Sequence, residues 1–288
     1  MPQSGRPHES DLHRLADTLL TAVEKRLVGS TGDSDDLDAA LAGFRQRAVD
    51  FVRRYHRLRI DLEVTSLRTP VLFVANHGFG GIFDLNVLAA NAALEDLALD
   101  RPVTFLTHQL AWTLGVGPVI EHLGARPASE ESAVEAFTNG NHVMVFPGGD
   151  VDAAKSFLHR NEIVFSGRTG FARLAMEQKV PIVPIVTAGA GESLLVLSDG
   201  KALAKALRLD KLLRIKALPV SVSLPWGVNV GVVGMVPYLP LPTKLHTTVL
   251  PAMKARRGED AAAYAERVHA AMQDALTAMT EHRRPVLG

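Results

Sequence analysis

The stretch Val71-Leu72-Phe73-Val74-Ala75-Asn76-His77-Gly78-Phe79-Gly80-Gly81-Ile82-Phe83-Asp84 constrains the fold more than any other part of this chain. An apolar run without polar alternation is what a strand covered on both faces requires. The run stops at Asn-His and passes through a glycine-rich turn. Asp84 then opens a second apolar segment, so the order reads as buried strand, tight loop and capped helix. His77 falls at the carboxyl end of a strand, where open α/β sheets hold their ligands.

Strand and helix signals alternate from there. Strand Val71–Val74 precedes a helix over Leu85–Leu97. Strand Val103–Leu106 leads to Trp112–Leu123, which is apolar and readable either way. Ser129 caps a short helix through Phe137, and strand His142–Phe146 runs into Pro147-Gly148-Gly149-Asp150. A helix over Gly170–Gln178 precedes strand Ile182–Val186, where Pro184 predicts an edge strand or a bulge. The last helix, Asp260–His282, shows Tyr264, Val268, Ala271, Ala275 and Met279 on one face. This alternation predicts an α/β fold with a mostly parallel sheet flanked by helices.

Two helices precede the sheet. One is capped by Ser10 and apolar at Leu12, Leu15, Leu19 and Val23. The other carries Leu37, Leu41, Phe44, Ala48, Val52 and Tyr55 on one face, with Arg45, Arg47, Arg53, Arg54 and Arg57 around it. The second reads either as a hairpin arm with a solvated basic side or as a helix lying on lipid headgroups. The expected organisation is an N-terminal helical hairpin over residues 1–58, an α/β core over 59–250, and a C-terminal helix over 251–288 packed on that core.

Composition limits the chemistry. Lys+Arg and Asp+Glu balance at 31 each, so global charge recommends no nucleic acid. The chain has no cysteine, which excludes disulfides, thiolate nucleophiles and Cys-based metal sites and fits a cytoplasmic location. The eleven histidines are scattered, without an H-E-x-x-H pattern, so no metal is expected. The opening MPQSGRPHESDLHR lacks the basic-then-apolar run of a signal peptide. Residues Ala217–Thr243 carry no charge, but Pro219, Pro225, Pro237, Pro240 and Pro242 break any spanning helix. They read instead as two short buried strands, SVSLP and VNVGVVG, with an extended exit.

Three constellations carry chemistry. His77 and Asp84 can form a dyad, since an imidazole accepts a proton near neutral pH and works best when a carboxylate holds its other nitrogen. Otherwise His77 is a loop histidine and Asp84 only a cap. Phe146-Pro147-Gly148-Gly149 follows another strand, and its paired glycines read first as an ordinary turn or else as backbone N–H groups turned toward an anion. Val180-Pro181-Ile182-Val183-Pro184 reads as core. A dinucleotide fingerprint fails because Phe83 occupies the place of its third glycine. A nucleophile elbow fails because Gly191-Glu192-Ser193-Leu194-Leu195 lacks the second glycine.

Taken in order, Asn76-His77…Asp84, Phe146-Pro147-Gly148-Gly149 and Val180-Pro181-Ile182-Val183-Pro184 resemble the glycerolipid and lysophospholipid acyltransferase superfamily. The likeness covers about residues 50–245 and includes the helix at Gly170-Phe171-Ala172-Arg173. Six residues separate His77 from Asp84 where most members have four, which is similar to the longer loop of the branch related to diacylglycerol-forming and bacterial wax or glycerolipid acyltransferases. The resemblance implies an O-acyltransferase in which His77 is the general base and Asp84 its partner. The acceptor oxygen then attacks the thioester of acyl-CoA or acyl carrier protein directly, with no acyl-enzyme. The thioester is a co-substrate, and no other cofactor is implied.

The resemblance also assigns substrate contacts to Asn76, Gly78, Phe79, Gly80, Gly81, Phe146, Pro147, Gly148 and Gly149. An apolar groove for the acyl chain is expected beside Phe79, Phe83, Trp112 and Ala217–Pro242. Phosphate-acceptor members follow the second motif with Thr-Arg, where this chain has Asp150-Val151-Asp152, two carboxylates that would repel a phosphate. Lys155, Arg168, Arg160 and Arg126 are the candidate substitutes for the missing arginine, and a neutral acceptor alcohol stands beside glycerol phosphate. Peripheral contact with the inner face of a membrane is the expected setting.

Overall fold

The computed structural model describes residues 34–64, 66–78, 84–107, 120–121, 124–153, 155–198, 220–223, 227–230 and 239–288. Helix α1 (Ser34–Tyr55) leads into β1 (Arg59–Leu62) and β2 (Leu72–Ala75). Helix α2 (Leu85–Asp96), β3 (Val103–Thr107), β4 (Ala125–Pro127), α3 (Glu130–Thr138) and β5 (His142–Val145) follow. After the short helix α4 (Gly149–Ala153) come a 3₁₀ turn at Phe157–His159, α5 (Gly170–Glu177), β6 (Ile182–Ala188) and a second 3₁₀ turn at Ala190–Glu192. Strands β7 (Leu195–Ser198), β8 (Val220–Ser223), β9 (Gly227–Val230) and β10 (His246–Val249) precede α6 (Ala261–Thr280).

Seven strands form one sheet in the order β1-β10-β6-β2-β5-β3-β4. The five strands from β6 to β4 run parallel, while β10 and β1, parallel to each other, run against them. Every residue of β2 is buried, as its unbroken apolar sequence demands. Alternation along the strands divides the core. Leu72, Val74, Val143, Ile182 and Val186 face α3, α5 and α6 on one side. Phe73, Ala75, Met144, Val183 and Ile185 face α2 on the other. Val52 of α1, Leu85 and Ala89 of α2, Ala190 and Leu245 make a third cluster that fixes α1 to the site end of the sheet.

This layering places a crevice. The chain leaving β2 crosses to the face covered by α2, and the chain leaving β5 crosses to the face covered by α5. Neighbouring parallel strands whose connections depart to opposite faces open a gap at their carboxyl ends, and ligands bind there. β2 and β5 pair directly, Val74 opposite Val145. His77 and Phe146-Pro147-Gly148-Gly149 therefore rise on the two sides of one opening.

Asp84 and Ser129 cap their helices as expected, and Asp260 caps α6 as well, each accepting a backbone N–H of its own first turn. Several expectations need correction. On α1, Val49 and Val52 are buried while Phe44 is 46% exposed, so the buried stripe is narrower than the apolar pattern. On α6 the buried face is Tyr264, Ala265, Val268, Met272 and Leu276, with Ala275 and Met279 at its border. Pro184 lies in a central strand. Its carbonyl accepts from Leu250 at 2.9 Å just beyond the end of β10, and Ile182 and Met253 bond to each other further on, so the missing N–H interrupts the pairing at one rung. β8 and β9 form with β7 a separate antiparallel sheet, and the valines of β9 are exposed rather than buried.

The expected helix near Ser10–Leu27 and nearly all of Trp112–Leu123 lie outside the described residues. Among the described residues, no helix is long and apolar enough to cross a membrane.

Candidate active site

His77 leaves β2 with its ring 18% exposed, and Nδ1 lies 2.6 Å from Oδ2 of Asp84. An ionised carboxylate can only accept, so Nδ1 carries the hydrogen and Nε2 is left as the basic nitrogen. The other Asp84 oxygen, Oδ1, accepts the Asn86 N–H at 2.8 Å as the cap of α2. One carboxylate thus holds the helix start with one oxygen and orients the imidazole with the other. The Phe146 ring lies against the His77 ring at 4.8 Å.

The backbone of His77 is held as firmly as its ring. Asp152, fully buried, accepts the His77 N–H at 2.7 Å through Oδ2 and the Val164 N–H at 2.9 Å through Oδ1. Lys155, nearly buried, pairs with Asp152 Oδ1 at 2.7 Å and donates to the carbonyls of His77 at 3.3 Å and Glu162 at 2.5 Å. A buried carboxylate is tolerable only when its charge and lone pairs are met, and these contacts meet them. The expectation that Asp152 repels a phosphate is thereby corrected, since its carboxylate is turned inward and neutralised. Lys155, expected to grip substrate, is spent on the same brace.

Asn76 is likewise a framework residue. Its amide donates to the Thr187 carbonyl at 3.1 Å and accepts the Thr187 N–H at 2.9 Å, locking the ends of β2 and β6 together. Its own carbonyl accepts from Asn86 Nδ2 at 2.7 Å. Gly78 follows so closely on Ala190 that any Cβ there would come within 2.5 Å of the alanine methyl, so only glycine fits. The turn carrying Ala190 is itself fixed by Glu192, whose carboxylate receives the Arg283 guanidinium at 2.7 and 3.0 Å and the Val286 N–H at 2.7 Å.

The second motif forms a turn opposite. Gly148 is pressed onto Asp152, where a Cβ would clash at 2.2 Å, and Gly149 takes φ +52. The Gly149 N–H donates to the Phe146 carbonyl at 3.2 Å, so it is spent within an ordinary turn rather than aimed at an anion. Arg168 donates to the carbonyls of Pro147 at 2.7 Å and Gly148 at 2.5 Å, bracing the turn from outside. Arg160 lies 4.1 Å over the Phe157 ring, and Arg126 sits on β4 at the far edge of the sheet.

The fold therefore brings together Asn76, His77, Gly78, Asp84, Phe146, Pro147, Gly148, Gly149, Lys155 and Arg168. Phe79, Gly80 and Gly81, together with Phe83 and Trp112 of the expected groove, lie outside the described residues. Sequence reasoning missed the Asp152–Lys155 brace. Its signal was the spacing of three between opposite charges just after the second motif, which suits one side of a helical turn. No group of His, Asp and Glu among the described residues is arranged to hold a metal ion.

Comparison with known proteins bears on the family and the fold. Residues 56–188, which run from His56 to the end of β6, match the model of the Acyltransferase family. An uncharacterized protein of Mycobacterium bovis and one of Mycobacterium tuberculosis are each 30% identical over 264 residues, covering 82% of this chain and 69% of theirs. A chicken (Gallus gallus) protein described as a DGAT1/2-independent enzyme synthesizing storage lipids is 29% identical over 126 residues, 44% of this chain and 37% of its own. The crystal structure of the 1-acyl-sn-glycerophosphate acyltransferase PlsC from Thermotoga maritima superposes with a TM-score of 0.51 at 12% identity, covering 96% of this chain and 98% of that one, and shares the fold. The chain belongs to the Acyltransferase family and shares the fold of PlsC.

Proposed function

We propose that the protein transfers a fatty acyl group from a thioester, acyl-CoA or acyl carrier protein, to the hydroxyl of a neutral glycerolipid or similar lipid alcohol. The observation that carries this reading is the 2.6 Å contact between His77 Nδ1 and Asp84, because it leaves Nε2 as a base at the mouth of the β2/β5 crevice. In the reaction, His77 Nε2 takes the proton of the acceptor hydroxyl as its oxygen bonds to the thioester carbonyl carbon. Asp84 stabilises the imidazolium through Nδ1–H. The C–S bond then breaks, and the thiolate leaves with the proton from Nε2. No acyl-enzyme is required, in keeping with a chain that has no cysteine.

Two features support a neutral acceptor. Lys155 is spent on Asp152 and two carbonyls, and Arg160 lies over Phe157. Neither offers the planar, bidentate grip on phosphate that arginine supplies at such sites. The likeness to the chicken storage-lipid enzyme points the same way. Such a substrate lives in a bilayer, so the protein works as a peripheral enzyme at the inner membrane face.

The test is thiol release from palmitoyl-CoA with monoacylglycerol, diacylglycerol, lysophosphatidate or a long-chain alcohol as acceptor. Release stimulated most by a neutral acceptor is expected. Release stimulated only by lysophosphatidate would overturn the acceptor assignment. Acceptor-independent binding without release, from CoA or carrier-protein thioesters, would favour a lipid-binding role for the same fold.

A further inference from the structure

The small sheet inverts the usual arrangement of a soluble protein. Leu195 of β7 stands opposite Val222 of β8, which stands opposite Val228 of β9, and Val220 stands opposite Val230. Cross-strand partners share a face, so these apolar residues form one surface. It is turned outward: Val228 is 69% and Val230 is 45% exposed, and Leu197, at the bulge of β7, is 54% exposed beside them. Inward stand Ser221 and Ser223, both buried, with the buried Val196 of β7 opposite Ser221. A shift of one residue would exchange the two sets. The observed register keeps the valines out although Ser221 Oγ is then buried without a hydrogen-bond partner.

The surface reaches toward the active site. The 3₁₀ turn Phe157–His159 packs against β7 and displays Leu158, 82% exposed. That turn begins two residues after Lys155, whose ammonium group touches the His77 carbonyl.

Charge selects the partner. The connection from Ser198 to Val220 is tied to this sheet at both ends. It carries Lys201, Lys205, Arg208, Lys211, Arg214 and Lys216 against Asp199 and Asp210. No acidic residue occurs between Asp210 and Glu259. A second copy of the chain would bring the same cations against one another. An anionic lipid surface suits both the apolar face and a connection of this charge.

We propose that the outward face of β7–β9, continued by Leu158, docks the protein on a bilayer bearing anionic headgroups, with the His77 crevice beside the contact. This rests on the acyl-transfer reading for its purpose, since a lipid acceptor then enters from the bilayer without crossing water.

The test is flotation of the full chain with phosphatidylcholine vesicles, with and without phosphatidylglycerol. The variants are Leu197→Glu/Val228→Glu and the milder Leu197→Ser/Val228→Thr, with circular dichroism as the check on folding. Leu62→Glu serves as a control at an exposed leucine on the edge strand β1. The wild type and Leu62→Glu are expected to float with the anionic vesicles. The Glu pair is expected to lose at least about tenfold in partitioning, and the milder pair to fall between. Equal flotation of the Glu pair, equal loss in Leu62→Glu, or a wild type that stays in solution would overturn the proposal. So would a wild-type dimer that the Glu pair splits without changing flotation. His77→Ala separates the two readings, because it should float normally and turn nothing over. Thiol release by a protein that does not float would remove the docking face and leave the chemistry standing.

Discussion

The seven-stranded and three-stranded sheets treat the same residue types in opposite ways. Val183 and Ile185 of β6 are fully buried between helices, whereas Val228 and Val230 of β9 face solvent. Polar groups are reversed to match. Thr187 at the end of β6 is buried, but both of its backbone polar groups bond to the Asn76 amide, and its hydroxyl bonds to Thr247 at 2.8 Å. Ser221 is buried without such a partner. The large sheet is built to hold its own end rigid, and that end is where His77 sits. The small sheet leaves the Ser221 hydroxyl unpaired, bonds Ser223 Oγ to Asn229 Nδ2 at 3.0 Å, and displays its apolar surface. Rigidity at the chemistry and apolar display beside it are divided between two structures of different register logic.

Substitutions can break this contrast. The largest stability effect belongs to Asp152→Ala, which leaves the Lys155 charge and two N–H groups buried without their acceptor. A loss of roughly 3–5 kcal/mol is expected in denaturant titration, accompanied by lower kcat. Val183→Ala removes two methyl groups from the filled core and should cost about 2 kcal/mol by the same measurement. Val228→Ala removes the same groups from the exposed face and should stay within about 0.5 kcal/mol. Equal effects at the two valines would remove the distinction between the sheets.

Asp84→Asn sharpens the assignment inside the rigid sheet. Asparagine caps helices about as well as aspartate, so α2 and the melting temperature should be nearly unchanged. Loss of the carboxylate opposite Nδ1 should still reduce kcat by one order of magnitude or more on the general-base reading. Unchanged turnover would show that Asp84 is only a cap.

The smallest expected effect is on acid stability. His56 and His142 are buried at opposite ends of the large sheet, and burial lowers both pKa values from the ordinary 6.5. The unfolded chain then binds more protons than the folded one once the pH drops below that ordinary value. Stability is full above it and declines as the pH falls toward the folded pKa values. A melting temperature that begins to drop just below pH 6.5 is expected. No change until the carboxylates titrate would contradict neutral buried imidazoles.

Much of this architecture was legible in the sequence because local signals and packing agreed. The apolar run at β2, the alternation through β6, and the caps Asp84, Ser129 and Asp260 all mark their elements directly. β1 and β10 were missed because Arg59–Leu62 and His246–Val249 mix polar and apolar residues, and their strand character comes only from pairing with each other and with β6. Pro184 misled for the same reason, since whether a missing N–H matters depends on where the neighbouring strand stops. At the site, order along the chain left His77 and Asp84 either as a dyad or as a loop histidine and a cap, and the family resemblance favoured the dyad. The inward turn of Asp152 and Lys155 was not legible, because charged residues after a glycine turn read equally well as solvated. Only the approach of β2 to β5 supplies the buried N–H and carbonyl that draw them in.

The account rests on His77 as the base, so the most direct measurement is the turnover of His77→Ala against wild type. It should use acceptor-dependent thiol release, with folding verified by an unchanged melting curve. A fall of roughly two to four orders of magnitude in kcat, with vesicle binding retained, is the predicted result. A folded His77→Ala protein that transfers acyl groups at near-normal rate would contradict it.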